Sequence, residues 1–219
     1  MKSFTGMFKK AFLLTICMFL LCSIIYPLAL TGVSQLIFPV QANGNLIDAN
    51  GNPTKNQDEA VGSALVGQKF TDDRFFKGRV SSINYNTYTD DGMWAGDDST
   101  EYGGVSSGTF NYGASNEDLK ARVEADLAAF LESHPGVKAE EVPADLITAS
   151  GSGLDPHISL QAAKVQVPLI SEKTGLSEEE LNTIIDNATE GKVFGLFGEE
   201  KMNVLKANIA IANAIGYNK

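Results

Sequence analysis

The hydrophobic pattern divides the chain into two unlike parts. Ala11 to Leu30, AFLLTICMFLLCSIIYPLAL, is apolar on every face, with Thr15 and Ser23 its plainly polar residues. Both can return a hydrogen bond to their own helix. At 1.5 Å per residue these twenty residues reach roughly 30 Å, the thickness of a hydrocarbon core. A helix is the spanning form open to one segment, because its backbone groups must pair within it. The run predicts a transmembrane helix at 11–30, with Pro27 in its last turns and Tyr26 placed for the outer interface. A cleaved leader needs a shorter apolar run and small residues at the cut, and Tyr26-Pro27-Leu28-Ala29-Leu30 has no such site. Acylation needs a small residue before the cysteine, whereas Cys17 follows Ile16 and Cys22 follows Leu21. Both cysteines read as small apolar residues of the helix.

Beyond the helix the pattern turns polar and then periodic. Residues 31–60 read as a juxtamembrane linker, with Phe38-Pro39 ending any continuing helix and Asn43-Gly44 and Asn50-Gly51 as turns. Residues 61–219 read as one further domain. Val61 to Ser82 predicts strand and turn, and the Gly- and Asp-rich stretch 83–114 predicts a long loop or hairpin. A helix capped by Ser115 carries Leu119, Val123, Leu127, Phe130 and Leu131 on one face and stops at Pro135-Gly136. A second, capped by Ser159, runs from Leu160 to about Lys173 with Pro168 bending it. Ser177 and Glu180 form a capping box for a third, and Asn203 to Ile215 suits a fourth. Short strands early and helices late indicate an α+β domain.

Charge sharpens the division. No charged residue lies between Ala11 and Ile47, and Lys2, Lys9 and Lys10 alone precede that stretch. The remainder holds 14 basic and 27 acidic residues, a formal −13. Lysines stay cytoplasmic by the positive-inside bias, so residues 1–10 are a cytoplasmic tail and the domain is extracytoplasmic. The acidity excludes nucleic acid as a partner, since phosphates demand a basic face. With both cysteines in the helix and only His134 and His157 as histidines, a zinc site is not expected. Asp90-Asp91-Gly92 and Asp97-Asp98 lack the alternating ligands of a calcium loop and read as solvated turns.

Three short motifs fail their chemistry. Gly62 and Gly67 have the spacing of a phosphate-binding loop, but Gln68 intervenes before Lys69, and Phe70 has no hydroxyl. Glu172-Lys173-Thr174-Gly175 resembles an aspartyl-phosphate motif with Glu at the phosphorylated place, and reads as a helix end closed by Gly175. Ser150, Ser152, Asp155 and His157 bring hydrolase residue types together. Yet Ser150 and Leu154 stand where a nucleophile elbow around Ser152 needs glycines. No catalytic residue, metal ligand or cofactor of the chain's own is assigned.

These segments together resemble the C subunit of the Kdp potassium-transporting ATPase. The resemblance runs through Tyr26-Pro27-Leu28, Phe38-Pro39 and Gln41-Ala42-Asn43-Gly44 near the membrane. It continues through Gly62-Ser63, Gly67-Gln68-Lys69-Phe70 and Phe75-Phe76-Lys77-Gly78-Arg79. Its most specific block runs from Val142 to Ser159 and contains Thr148, Ser150, Gly151, Ser152, Gly153, Asp155 and His157. Ala162-Ala163, Gln166 and Asn203-Val204-Leu205 complete it. Val80, Ala114, Leu160 and Leu169 depart from the family's Pro, Gly, Pro and Arg.

The resemblance implies a non-catalytic subunit in the cell membrane. Its implied partners are a channel-like K⁺-selecting subunit, a P-type ATPase subunit that holds ATP and Mg²⁺, and a small membrane peptide. It implies roles in assembly and as a catalytic chaperone for ATP use. The membrane-proximal motif residues would then meet the other subunits and the bilayer. The competing readings are a membrane-tethered extracellular hydrolase and an anchored binding module.

Overall fold

A computed structural model describes residues 2–87 and 106–217. The acidic turns at Asp90-Asp91-Gly92 and Asp97-Asp98, and the middle of the 83–114 loop, lie outside the described residues. The chain starts with a nearly unbroken helix: α1 (Lys2–Phe19), a π-helical stretch Leu20–Ile25, and α2 (Tyr26–Ile37). The span apolar enough for a membrane runs from Phe4 to Ile37, and none of its most apolar window is buried by the rest of the protein. Helix therefore continues through 31–37, where the sequence suggests a linker. Nothing there breaks it, and Ser34 returns its hydroxyl to the Leu30 carbonyl at 2.7 Å.

The widened π stretch ends two residues before Pro27. Proline has no N–H for the carbonyl of Ser23 and its ring crowds that carbonyl. The Tyr26 N–H instead reaches back to Leu21. Thr15 donates to Ala11 at 2.9 Å, so its hydroxyl is satisfied along the helix.

Phe38, at φ −130°, breaks the helix, and α3 (Pro39–Ala42) restarts with Pro at its first position. The corner is braced. Gln35 and Asn43 exchange amide hydrogen bonds of 3.2 and 3.1 Å, and Asn43 also donates to the Pro39 carbonyl at 2.6 Å. A short antiparallel pair follows, β1 (Leu46–Asp48) with β2 (Ala60–Ser63). Ile47 of β1 is buried against Leu205 and Ile209, so this part of the 31–60 stretch belongs to the domain.

The helices form close to their predicted places. Asn116, one residue after Ser115, caps α4 (Glu117–Ser133) by accepting from Leu119 N–H at 2.9 Å. After α5 (Ala144–Ile147), the predicted helix from Leu160 divides into α6 (Leu160–Lys164) and α7 (Val167–Thr174). Pro168 sits in the first turn of α7, where its missing N–H costs nothing. Gly175, left-handed at φ +76°, closes α7. The Ser177–Glu180 capping box opens α8 (Glu178–Asn187), and Asn203 caps α9 (Val204–Ala214).

Between these helices lies a second small sheet. Strand β3 (His157–Ile158) and strand β4 (Thr189–Glu190) both pair antiparallel with the central β5 (Lys201–Asn203). The core packs around Phe76, Ile170, Leu181, Ile185, Met202 and Ile211, all essentially inaccessible. Three buried amides stitch it. Asn208 accepts from Phe76 N–H at 2.8 Å and donates to the Phe76 carbonyl at 2.9 Å. Gln166 accepts from Lys77 N–H at 2.8 Å and donates to the Ala162 carbonyl at 2.9 Å. Asn203 donates to the Ala64 carbonyl at 2.8 Å. Asn208 and Gln166 supply hydrogen bonds to the Phe76–Lys77 segment, which pairs with none of the described strands, as buried backbone groups require.

Candidate functional site

The motif loop from Thr148 to Ser159 folds inward on its neighbours. Ser150 is buried, and its hydroxyl accepts from Gly153 N–H at 2.8 Å. Ser152 accepts from Leu154 N–H at 3.1 Å. Gly153 is left-handed at φ +68°, a conformation glycine adopts without cost. A side chain there would also stand 2.8 Å from the Gly108 carbonyl oxygen. Ser81 donates to the Gly153 carbonyl at 2.6 Å, and Gly108 N–H donates to the Ser152 carbonyl at 2.8 Å. Thr148 returns its hydroxyl to Ala144 at 2.6 Å. Gly151 is exposed with open space around it.

Other motif residues lock onto the same loop. Gly67 N–H donates to the Leu154 carbonyl at 2.8 Å. A Cβ at Gly67 would lie 2.6 Å from the Asp155 carbonyl oxygen and 2.7 Å from the Tyr85 ring. Glycine is thus required by close approach, and the would-be phosphate loop spends this N–H internally. Gln68 folds back to donate to the Val61 carbonyl at 3.0 Å. Tyr85 donates its hydroxyl to the Arg79 carbonyl at 2.6 Å and lies beside Gly78, where a Cβ would come 2.7 Å from that hydroxyl. Burial pushes the Tyr85 phenol up to about 12. Gln166 contributes from the core, as described above.

This loop lines a cleft of about 660 Å³. Arg79, Asp145, Asp155, His157 and Ser159 line it together with Val193 and Phe197 of the β4–β5 connection and Lys201 of β5. A row of ionisable side chains runs from the cleft through His157 to Glu190 and Lys206. Arg79 Nη1 meets Asp155 at 3.3 Å, and Asp155 faces His157 Nδ1 at 3.5 Å. His157 Nε2 faces Glu190 at 3.4 Å, and Glu190 pairs with Lys206 at 3.1 Å. Burial alone would raise the Asp155 carboxyl, but hydrogen bonds from His157 and Arg79 hold it below the usual range. Glu190 is likewise held down, against burial, by Lys206. Asp145 accepts from Ser159 N–H at 2.7 Å and from its hydroxyl at 3.1 Å, while Ser159 caps α6.

The hydrolase grouping is not assembled. The two serine hydroxyls close turns of their own loop, and His157 is flanked by carboxylates. Among the described residues no cluster of His, Cys, Asp and Glu is arranged to hold a metal ion. The membrane-proximal motif residues stay apart from the cleft. Tyr26 and Phe38 are exposed, and Pro27 lies in α2. Pro39, Gln41, Asn43 and Gly44 form the corner, where Gly44 N–H donates to the Gln41 carbonyl at 3.1 Å. Sequence reasoning missed Glu190, Lys206 and Tyr85 in the site. Their signal lies only in pairings between distant segments.

Among the described residues one helix, exposed, apolar and near the N-terminus, is long enough to cross a membrane, and a braced corner joins it to a small α+β domain. A family model described as the K⁺-transporting ATPase, c chain, matches residues 8–213, and the chain belongs to that family. It is 52% identical over 209 residues to the potassium-transporting ATPase KdpC subunit of Clostridioides difficile strain 630, covering 95% of this chain and 97% of that one. It is 51% identical over 220 residues to the KdpC subunit of Clostridium kluyveri, covering both chains fully. Similarity extends to Caldanaerobacter subterraneus, at 40% identity over 211 residues with 96% and 97% coverage.

Proposed function

We propose that this chain is an accessory subunit of a high-affinity, ATP-driven potassium uptake complex. Its domain lies outside the cell near the K⁺ entrance. There it stabilises a channel-like K⁺-selecting subunit and supports ATP use by a P-type ATPase subunit that holds ATP and Mg²⁺. A small membrane peptide completes the partner set. The observation that carries this reading is the partition of the chain. An apolar span from Phe4 to Ile37 separates the domain, with its formal −13, from the N-terminal end. Lys9 and Lys10 lie at the span's N-terminal end, the side that the positive-inside bias keeps in the cytoplasm.

Two further features support an accessory role. The motif residues Gly67, Arg79, Ser150 and Gly153 serve internal packing and hydrogen bonding. Asp155 of the cleft is engaged by Arg79 and His157, and Glu190 by His157 and Lys206. An external domain acts on cytoplasmic ATP only through differential contacts in the transporter's conformational states. The test is copurification of the tagged full chain, extracted in mild detergent, with the multi-spanning potassium-transport subunits encoded by the same cell. Stoichiometric recovery supports the reading; recovery of the chain alone overturns it.

A further inference from the structure

The β4–β5 connection ends in a tip, Val193-Phe194-Gly195-Leu196-Phe197, that buries almost nothing. Phe194 is 90% exposed and Leu196 78%, with Val193 and Phe197 above half. Four large apolar side chains on one hairpin tip of a water-facing domain call for a partner.

The backbone sharpens this. Phe194 and Gly195 have φ of +54° and +72°, and Leu196 N–H closes onto the Val193 carbonyl at 3.1 Å. Two successive positive φ values make a tight turn of the type that prefers Asn-Gly. A phenylalanine in the left-handed region is strained. A segment needed only to turn would carry Asn; this one carries an exposed aromatic instead. The Val193–Phe197 bridge, with both N–H to carbonyl bonds at 2.9 and 3.0 Å, holds the tip in that shape before any partner arrives.

We propose that this tip is a preformed hook that inserts into an apolar pocket on another protein subunit of the transporter. The inference rests on the reading of the chain as a transporter subunit. Charge of both signs flanks the tip, with Lys192 before it and Glu199, Glu200 and Lys201 after it. A fluid bilayer has no fixed shape for a strained turn to match, whereas a protein pocket rewards preorganisation.

Phe194→Asn separates hook from scaffold, because it installs the preferred turn residue while removing the aromatic. The full chain and its Phe194→Asn and Leu196→Ser variants are each coexpressed with the transporter subunits and retained complex is measured in detergent. Each variant is expected to lower retention roughly tenfold or more, as loss of a central anchor does. The melting temperature of the Phe194→Asn chain should be unchanged or higher. Retention equal to wild type in both variants overturns the hook. Failure of the wild-type chain itself to be retained overturns the subunit reading instead. A photoreactive phenylalanine analogue at 194, in the assembled complex, should crosslink to a protein subunit. Crosslinks to lipid alone, or none above background, contradict the proposal.

Discussion

Asn208→Ala isolates the contribution of the buried amides. Asn208 is 2% exposed and exchanges two hydrogen bonds with the Phe76 backbone, at 2.8 and 2.9 Å. Phe76 itself is fully inaccessible. Truncation leaves a buried N–H and a buried carbonyl without protein partners, each costing about 1–3 kcal/mol. A water admitted to the vacated space would restore part of that, so the net expectation is about 3 kcal/mol. That is a large share of a typical domain stability of about 5–15 kcal/mol. The control is Asn213→Ala on the same helix. Its side chain bonds the Ala49 carbonyl at 3.1 Å but is exposed, so water replaces the bond and the cost stays within about 0.5 kcal/mol. Urea unfolding of the full chain in detergent micelles, followed by far-ultraviolet circular dichroism, measures both. Equal midpoints for the two variants would refute the argument that amide side chains substitute for strand pairing at Phe76.

Gly67→Ala should lower stability by about 2–3 kcal/mol, because its Cβ collides with the Asp155 carbonyl and the Tyr85 ring, while Gly136→Ala, with open space around it, should be nearly silent by thermal melting. His134 is buried and stacked on Phe130, and burial lowers its basicity below the ordinary 6.5. The unfolded chain therefore takes up this proton first, so stability falls as pH drops from 6.5 towards the lowered value, and His134→Phe should flatten that part of the curve. Asp155 and Glu190, both held below their ordinary 3.8 and 4.5, give stability that is complete above those values. It is lost as pH falls through the lowered ones, and Asp155→Asn should shrink this acid limb in pH-dependent urea titrations.

Much of the architecture could be read from local signals. The charge-free run around Ala11–Leu30 marks the membrane helix, and Ser159, Ser177 and Asn203 mark helix starts that the structure keeps. These are signals carried by neighbouring residues. The sheet β3-β5-β4 was not legible, because strands of two or three residues are too short to show a period. The helix reaching Ile37 was under-read because apolar character fades before helical structure does. At the site, the resemblance picked out Arg79, Asp155 and His157 together, but not that Glu190 and Lys206 extend their row of contacts. Nor did it show that the serines of the motif loop close turns. Such facts depend on contacts across many residues of chain, such as Gly67 with Leu154, which no local spacing announces.

The most direct test of the account is the side of the membrane on which the domain lies. With Cys17 and Cys22 replaced by Ala and a single cysteine introduced by Glu172→Cys, at a site whose side chain is 70% exposed, sealed cells are treated with a membrane-impermeant maleimide. The account predicts full labelling without lysis. Labelling that appears only after lysis would place the domain in the cytoplasm and contradict it.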